Sequence, residues 1–155
     1  MVWIGDGPLK EAFIERASAL RISDLVHIDG WRDDVEQRLQ GLDIFMLTSR
    51  FEGLPLALLE AMAVGLPCIV SNVDGMPEAV EHNVSGIVCE LDDHDDWCAQ
   101  LVRMIECPAL RQAMGAASRR RAQLRFSRER MSADTEALYM MVIARHQHAD
   151  TLPAA

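Results

Sequence analysis

A chain of 155 residues, half of them hydrophobic and a quarter charged, has the make-up of one soluble globular domain, able to bury about two-thirds of its unfolded surface. Its net charge of −9 excludes a general nucleic-acid binder, whose footprint is basic. No run approaches the roughly 18 apolar residues of a membrane span, and the first residues do not read as a secretory signal.

Val2-Trp3-Ile4 reads as a short buried strand, followed at once by Gly5-Asp6-Gly7-Pro8. Gly7 at a cap and Pro8 at the first helical position predict a helix start. Leu9, Ala12, Phe13, Ala17 and Leu20 form its apolar stripe. A second strand is predicted at Leu25-Val26-His27-Ile28, stopped by Asp29-Gly30. A short helix follows from Val35 to Leu39. Asp43-Ile44-Phe45-Met46-Leu47 shows no polar alternation and predicts a parallel-sheet strand buried on both faces.

Residues 56–64 read as a helix closed by Gly65, with Pro67 just beyond. Pro67 to Val70 predicts the fourth strand, Glu78 to Glu81 one helical turn, and Gly86 to Cys89 a fifth strand. From Asp95 onward the pattern is helical over about 95–106, 108–124 and 128–147, with Ser127 as the cap of the last helix. The tail after about residue 148, taken as 149–155, reads as disordered. Strands alternating with helices predict an α/β class fold, a Rossmann-like doubly wound parallel sheet with helices on both faces and a C-terminal helical segment.

Cys68, Cys89, Cys98 and Cys107 are spaced too widely for a CxxC metal or redox motif. Cys68 in an apolar strand and Cys98 on a helical face read as buried free thiols. Reduced cysteines fit a cytoplasmic location. His27, His82 and His94 share no metal-ligand spacing, and His146-Gln147-His148 reads as a solvated helix end. Asp92, Asp93, Asp95 and Asp96 gather where a helix begins, which the helix dipole explains without further function.

The most informative stretch is Arg50-Phe51-Glu52-Gly53-Leu54-Pro55-Leu56-Ala57-Leu58-Leu59-Glu60-Ala61-Met62-Ala63. Glu52 lies in a Gly/Pro turn after a strand, and Glu60 about one turn into the helix that the turn opens. Backbone amides at a helix N-terminus together with two carboxylates suit an anionic ligand carrying hydroxyl groups, such as a nucleotide sugar.

With these elements placed, the sequence resembles the nucleotide-sugar-binding half of the group 1 (family 4) retaining glycosyltransferases, which have the two-domain GT-B fold. The likeness covers nearly the whole chain. It is carried by Gly5-Asp6-Gly7-Pro8 after a strand, by Val26-His27-Ile28-Asp29-Gly30, by Ser49 to Ala63, and by Gly75-Met76-Pro77-Glu78 followed by Gly86. The Phe126-Ser127 step into a closing helix with Leu138-Tyr139 adds to it.

The resemblance implies residues 1–148 as a nucleotide-sugar-binding domain. It assigns Glu52 to donor-sugar hydroxyls, as the candidate catalytic residue, and Glu60 to the ribose hydroxyls. Gly53 and Leu54 amides would face the sugar or its phosphates, and the backbone of Ile28, Asp29 and Gly30 would border the base. The implied reaction moves a glycosyl group from a nucleoside diphosphate sugar, such as a UDP-sugar, to a glycan or lipid-linked acceptor with retained configuration. No cofactor and no metal are expected. The implied setting is polysaccharide biosynthesis in the cytoplasm.

Two departures from the family pattern stand out. Glu-Gly-Leu-Pro replaces the commoner Glu-Gly-Phe-Gly, and Pro55 has no N–H to offer a ligand. The family's first strand, its diphosphate-clamping Arg and Lys, and its N-terminal acceptor domain lie upstream of the Gly5-Asp6-Gly7-Pro8 strand. On that reading this chain is not competent alone and requires the missing N-terminal domain in cis or trans. The alternative is a non-catalytic remnant or split-enzyme scaffold module. A phosphorylase would need a pyridoxal-binding lysine, and Lys10 is the only lysine.

Arg119, Arg120, Arg121, Arg125, Arg128 and Arg130 form a basic cluster in an acidic chain. It reads either as a solvated face or as peripheral contact with anionic lipid at the inner membrane.

Overall fold

The computed structural model describes residues 1–149, with the side chains of 147–149 left aside. The tail expected to be disordered, 149–155, lies outside them apart from the last helical residue. Of His146-Gln147-His148 only the His146 side chain is described, with Nδ1 3.2 Å from the Val142 carbonyl oxygen. The chain forms two compact units, Met1–Gly41 and the residues from Leu42 on.

In the first unit β1 (Val2–Ile4) and β2 (His27–Gly30) pair in parallel, with Trp3 opposite Ile28. The helix α1 (Lys10–Ala19) lays Phe13 edge-on against Trp3, ring centroids 4.7 Å apart. It starts two residues after Pro8 because a turn intervenes, with the Lys10 N–H donating to the Gly7 carbonyl at 3.1 Å. The second strand is also displaced downstream and takes in Asp29 and Gly30. Residues Ser23–Leu25 form a 3-10 turn, in which Leu25 and Val26 N–H groups are spent on Ile22 and Ser23 carbonyls. The short helix α2 (Val35–Gln40) closes the unit.

The second unit alternates β3 (Phe45–Leu47), α3 (Leu56–Val64), β4 (Cys68–Ser71), α4 (Met76–Ala79) and β5 (Gly86–Cys89). The strands lie in the order β3-β4-β5, all parallel, with Phe45 opposite Cys68 and Cys68 opposite Gly86. Every residue of β4 is buried, as a central parallel strand requires. The expectation that the third strand is buried on both faces is not met. β3 is an outer strand of this sheet, and Met46 is 40% exposed.

Helices α5 (His94–Glu106), α6 (Pro108–Arg125) and α7 (Arg128–Ala149) follow. The sheet carries helices on both faces, giving the α/β architecture the strand and helix alternation predicts. Ile69, Ile87, Cys89, Met104 and Met114 make the core, joined by Ile44, Trp97, Leu101 and Leu110. The fully buried Ile69, Ile87, Met104 and Met114 side chains each contribute about 1.5–3 kcal/mol.

Polar groups close the helices. The Asp93 carboxylate accepts the Asp96 N–H at 3.0 Å, so the acidic cluster is indeed a helix start. Arg111 donates to the Met104 and Ile105 carbonyls at 2.7 and 2.8 Å, finishing α5. The Ser127 hydroxyl accepts the Arg130 N–H at 3.2 Å, the cap expected for α7. Cys98 is exposed, against expectation, because α5 turns Trp97, Leu101 and Met104 inward and leaves Cys98 outside that stripe. Among the described residues no helix is long and apolar enough to cross a membrane.

Candidate functional site

A parallel strand delivers its following loop to the carboxyl edge of the sheet, where ligands of open α/β sheets bind. β3 does this for residues 48–55, and α3 leaves from Pro55, whose extended backbone (ψ 126°) sets the helix going. The Leu58 and Leu59 N–H groups both return to the Pro55 carbonyl, at 3.1 and 3.3 Å. The Leu56 and Ala57 amides, in the first turn of the helix, have no intrahelical acceptor. The Gly53 and Leu54 N–H groups likewise have no acceptor among the described residues. Two amides before Pro55, those of Gly53 and Leu54, and two after it, those of Leu56 and Ala57, thus present unspent donors at the positive end of a helix dipole.

Glu52 is half-buried within this turn. Its Oε1 accepts the Ser49 hydroxyl at 2.8 Å, while Oε2 has no partner among the described residues. The Glu52 N–H donates to Asp74 Oδ2 at 2.9 Å. The Ser49 carbonyl is held in turn by the Ser71 hydroxyl at 2.6 Å, from the end of β4. Gly75 completes the docking by donating its N–H to the Gly53 carbonyl at 3.0 Å. The loop that carries Glu52 is therefore fastened along its length to the end of β4 and the loop after it.

Glu60 stands on the same helix that this turn opens, at its fifth residue, exposed and without an ion pair or side-chain hydrogen bond among the described residues. Both carboxylates are thus available on the Glu52-to-α3 segment, one steadied by a hydroxyl and the other open.

Ile28, Asp29 and Gly30 lie in the first unit at the carboxyl end of β2. The Asp29 side chain is only 5% exposed; Oδ1 is 2.7 Å from His27 Nε2, and Oδ2 lies 3.5 Å from Arg38. Oδ2 is buried without a hydrogen-bond partner among the described residues, and the backbone of this stretch is paired with β1, the Gly30 carbonyl accepting the Gly5 N–H at 2.8 Å. Nearby, Arg32 and Asp34 form a two-pronged pair at 2.7 Å, and the guanidinium holds the Asp34 carboxyl below its usual range.

Sequence reasoning placed Glu52, Gly53, Leu54 and Glu60 on this segment but missed Asp74 and Ser71. The signal for Asp74 was present, since Asp followed by Gly after a strand marks a turn that tolerates a left-handed residue. What the sequence does not give is the direction in which that turn aims its side chain.

The family model described as glycosyl transferases group 1 matches residues 1–121. N-acetyl-alpha-D-glucosaminyl L-malate synthase of Bacillus anthracis is 32% identical over 143 residues, 92% of this chain and 38% of that protein. The UDP-Gal:alpha-D-GlcNAc-diphosphoundecaprenol alpha-1,3-galactosyltransferase of Escherichia coli is 38% identical over 106 residues, 68% of this chain and 27% of that protein. Among solved structures, Anabaena Alr3699/HepE in complex with UDP-glucose superposes with a TM-score of 0.82 at 22% identity, over 90% of this chain and 40% of that one. The chain therefore spans well under half the length of the proteins it matches. With the family model matching most of its residues, the chain belongs to the group 1 glycosyltransferases.

Proposed function

We propose that this chain holds the nucleoside diphosphate sugar in a retaining glycosyl transfer, presenting the donor to an acceptor bound by sequence outside these 155 residues. One observation carries the reading. Glu52 is fastened in place with a free carboxylate oxygen, beside the unspent Gly53 and Leu54 amides and the open N-terminus of α3. Glu52 accepts hydrogen bonds from donor-sugar hydroxyls. The Gly53 and Leu54 amides face the sugar and its phosphates, and the helix dipole favours the diphosphate. Glu60 takes the ribose diol. No metal takes part in this scheme; charge developing on the leaving diphosphate meets oriented amides.

The choice of donor class is supported by the solved structure similar in fold, which holds UDP-glucose. The acceptor class is supported by the Escherichia coli relative, whose name specifies a diphosphoundecaprenol-linked sugar. The reading sets the chain in the cytoplasm, in polysaccharide biosynthesis, with peripheral contact at the inner membrane where the acceptor is lipid-linked. Isothermal titration tests the donor assignment. Weak binding of UDP or GDP is expected, and it is lost in Glu60→Ala. Equal heats for the wild type and Glu60→Ala would remove the ribose assignment.

A second reading, a module whose task is assembly with a partner, is favoured by α7. Leu138, Tyr139, Met140, Met141, Val142 and Ile143 are all 45–64% exposed and point all round the helix. A helix apolar on every side is ordinarily covered by protein. This module would bind no nucleotide, so the same titration separates the two readings.

A further inference from the structure

We propose that Asp74 is a positioning residue for Glu52, fixing the carboxylate that meets the donor sugar; the proposal rests on the donor-binding reading above. The turn that carries Glu52 has little packing to hold it. Phe51 is 87% exposed, and Gly53 and Leu54 are open as well. Its geometry must come from polar contacts, and these are few. Ser49 is held through its carbonyl by Ser71, Gly53 through its carbonyl by Gly75, and Glu52 through its N–H by Asp74. Of the three anchors only Asp74 acts on the backbone of Glu52 itself. It is also the only one of these hydrogen bonds with a charged acceptor, which makes such a bond roughly twice as strong as a neutral one; the Arg50–Asp92 pair on the same loop is exposed and, at 3.7 Å, too long for a hydrogen bond.

Asp74 keeps this bond in an uncommon backbone conformation. Its φ is 45°, in the left-handed region that non-glycine residues seldom occupy. Glycine would adopt that φ freely but has no oxygen to offer. Asparagine tolerates the same φ and keeps a carbonyl acceptor. The position therefore trades backbone ease for a side-chain oxygen aimed at the Glu52 amide. The adjoining Gly75 allows the loop to close on Gly53, so the Asp74-Gly75 step serves the turn with both a side chain and a missing one.

This separates a positioning role from a merely structural one. In Asp74→Gly the strained φ is relieved and the acceptor is lost, so the fold should be as stable as the wild type or more so while Glu52 is released. The full 155-residue chain is titrated with UDP and with UDP-glucose, and in parallel with GDP and GDP-mannose. The better-bound pair is then carried to the variants. The expected result for Asp74→Gly is a fivefold or greater loss of the extra affinity due to the sugar, a smaller loss for the bare diphosphate, whose phosphates meet the neighbouring Gly53 and Leu54 amides, and no fall in melting temperature. Asp74→Asn should restore the sugar-dependent part.

Amide hydrogen exchange at Glu52, whose N–H is the one Asp74 holds, should quicken in Asp74→Gly when measured without ligand and return toward wild type in Asp74→Asn. Unchanged exchange in Asp74→Gly would overturn the proposal, whatever the titrations give. So would equal sugar-dependent affinities, or a parallel loss for sugar nucleotide and bare diphosphate. A wild-type chain that binds neither nucleotide pair would count against the donor-binding reading and with it against a role toward sugar. The exchange result would then still show whether Asp74 orders the Glu52 turn.

Discussion

Gly75 donates its N–H to the Gly53 carbonyl at 3.0 Å, and a Cβ on Gly75 would lie 2.3 Å from that same oxygen. The β4–α4 loop can therefore reach the Glu52 turn only with a glycine at 75. In Gly75→Ala the two loops must part by roughly 0.7 to 1.1 Å to bring that 2.3 Å approach to ordinary contact. The expected cost is about 1–3 kcal/mol of stability, the range for overpacking. Because the parting moves Gly53 and its neighbours, binding of a UDP-sugar should weaken about tenfold, or ~1.4 kcal/mol. Urea unfolding and calorimetric titration of the same preparation check both halves.

Gly115 supplies the control for that experiment. A Cβ there would stand 2.2 Å from the Gly65 carbonyl, where α6 crosses the C-terminal end of α3. Gly115→Ala should cost a similar 1–3 kcal/mol by forcing α6 off α3. The nine-residue α3 separates that crossing from the Glu52 turn by its own length, about 13 Å at 1.5 Å per residue. Donor affinity of the folded Gly115→Ala chain should therefore equal that of the wild type. A parallel loss of affinity would show that Gly75→Ala acts through general destabilisation rather than through Gly53.

The placement of both glutamates, one in the turn and one inside the helix it opens, was readable because strand, Gly/Pro turn and helix leave a local signal within about fifteen residues. Asp74 was not, because its importance lies in a contact with Glu52 across 22 positions of sequence, and pattern rules reach only a few residues. The same distinction explains the smaller misses. Leu25 and Val26 open a strand-like apolar pattern, yet their amides close the local 3-10 turn of Ser23 to Leu25, which moves β2 to His27. Met46 sits in a solidly apolar run, but solvent reaches it because β3 is an outer strand, a fact of sheet order. Cys98 lies one residue outside the Trp97, Leu101 and Met104 stripe, and at 100° per residue one position decides burial.

The four cysteines should divide two and two. Burial pushes the Cys68 and Cys89 thiols from their usual value near 9 up to about 12, with neighbouring Asp96 adding to the shift at Cys89. Cys98 and Cys107 are exposed. Since the thiolate is the reactive form, a native chain at pH 8 should give two fast equivalents with a thiol reagent, and four after unfolding. The same shifts set a pH window. Below about pH 9 the folded and unfolded chains both keep these protons; above it the unfolded chain releases them first. Stability therefore falls as pH rises from about 9 toward 12. The urea midpoint should drop between pH 8 and pH 10, and the drop should shrink in a Cys68→Ala, Cys89→Ala double variant. Four fast thiols in the native state would contradict the assignment.

The basic cluster should divide too, because its arginines do unequal work. Arg121 folds back on α4, donating to the Ala79 carbonyl at 2.6 Å, the Glu78 carbonyl at 3.0 Å and the Glu81 carboxylate at 3.1 Å. Arg130 is bonded to Asp134 one turn along α7. Arg119, Arg120, Arg125 and Arg128 are exposed and make no such bonds among the described residues. Arg121→Ser should cost about 1–3 kcal/mol of stability by leaving the α4 carbonyls unpaired. It should leave vesicle binding unchanged. Changing the four open arginines to serine should leave the melting temperature within a degree or two. It should also reduce co-sedimentation with anionic phosphatidylglycerol vesicles, since each basic residue near such a surface is worth about 1 kcal/mol. That binding should fade as salt is raised and the Debye length shortens to below about 8 Å. Undiminished sedimentation of the fourfold variant would leave this face as a solvated surface, and neutral phosphatidylcholine vesicles, on which wild type and variant should sediment alike, separate charge from apolar contact.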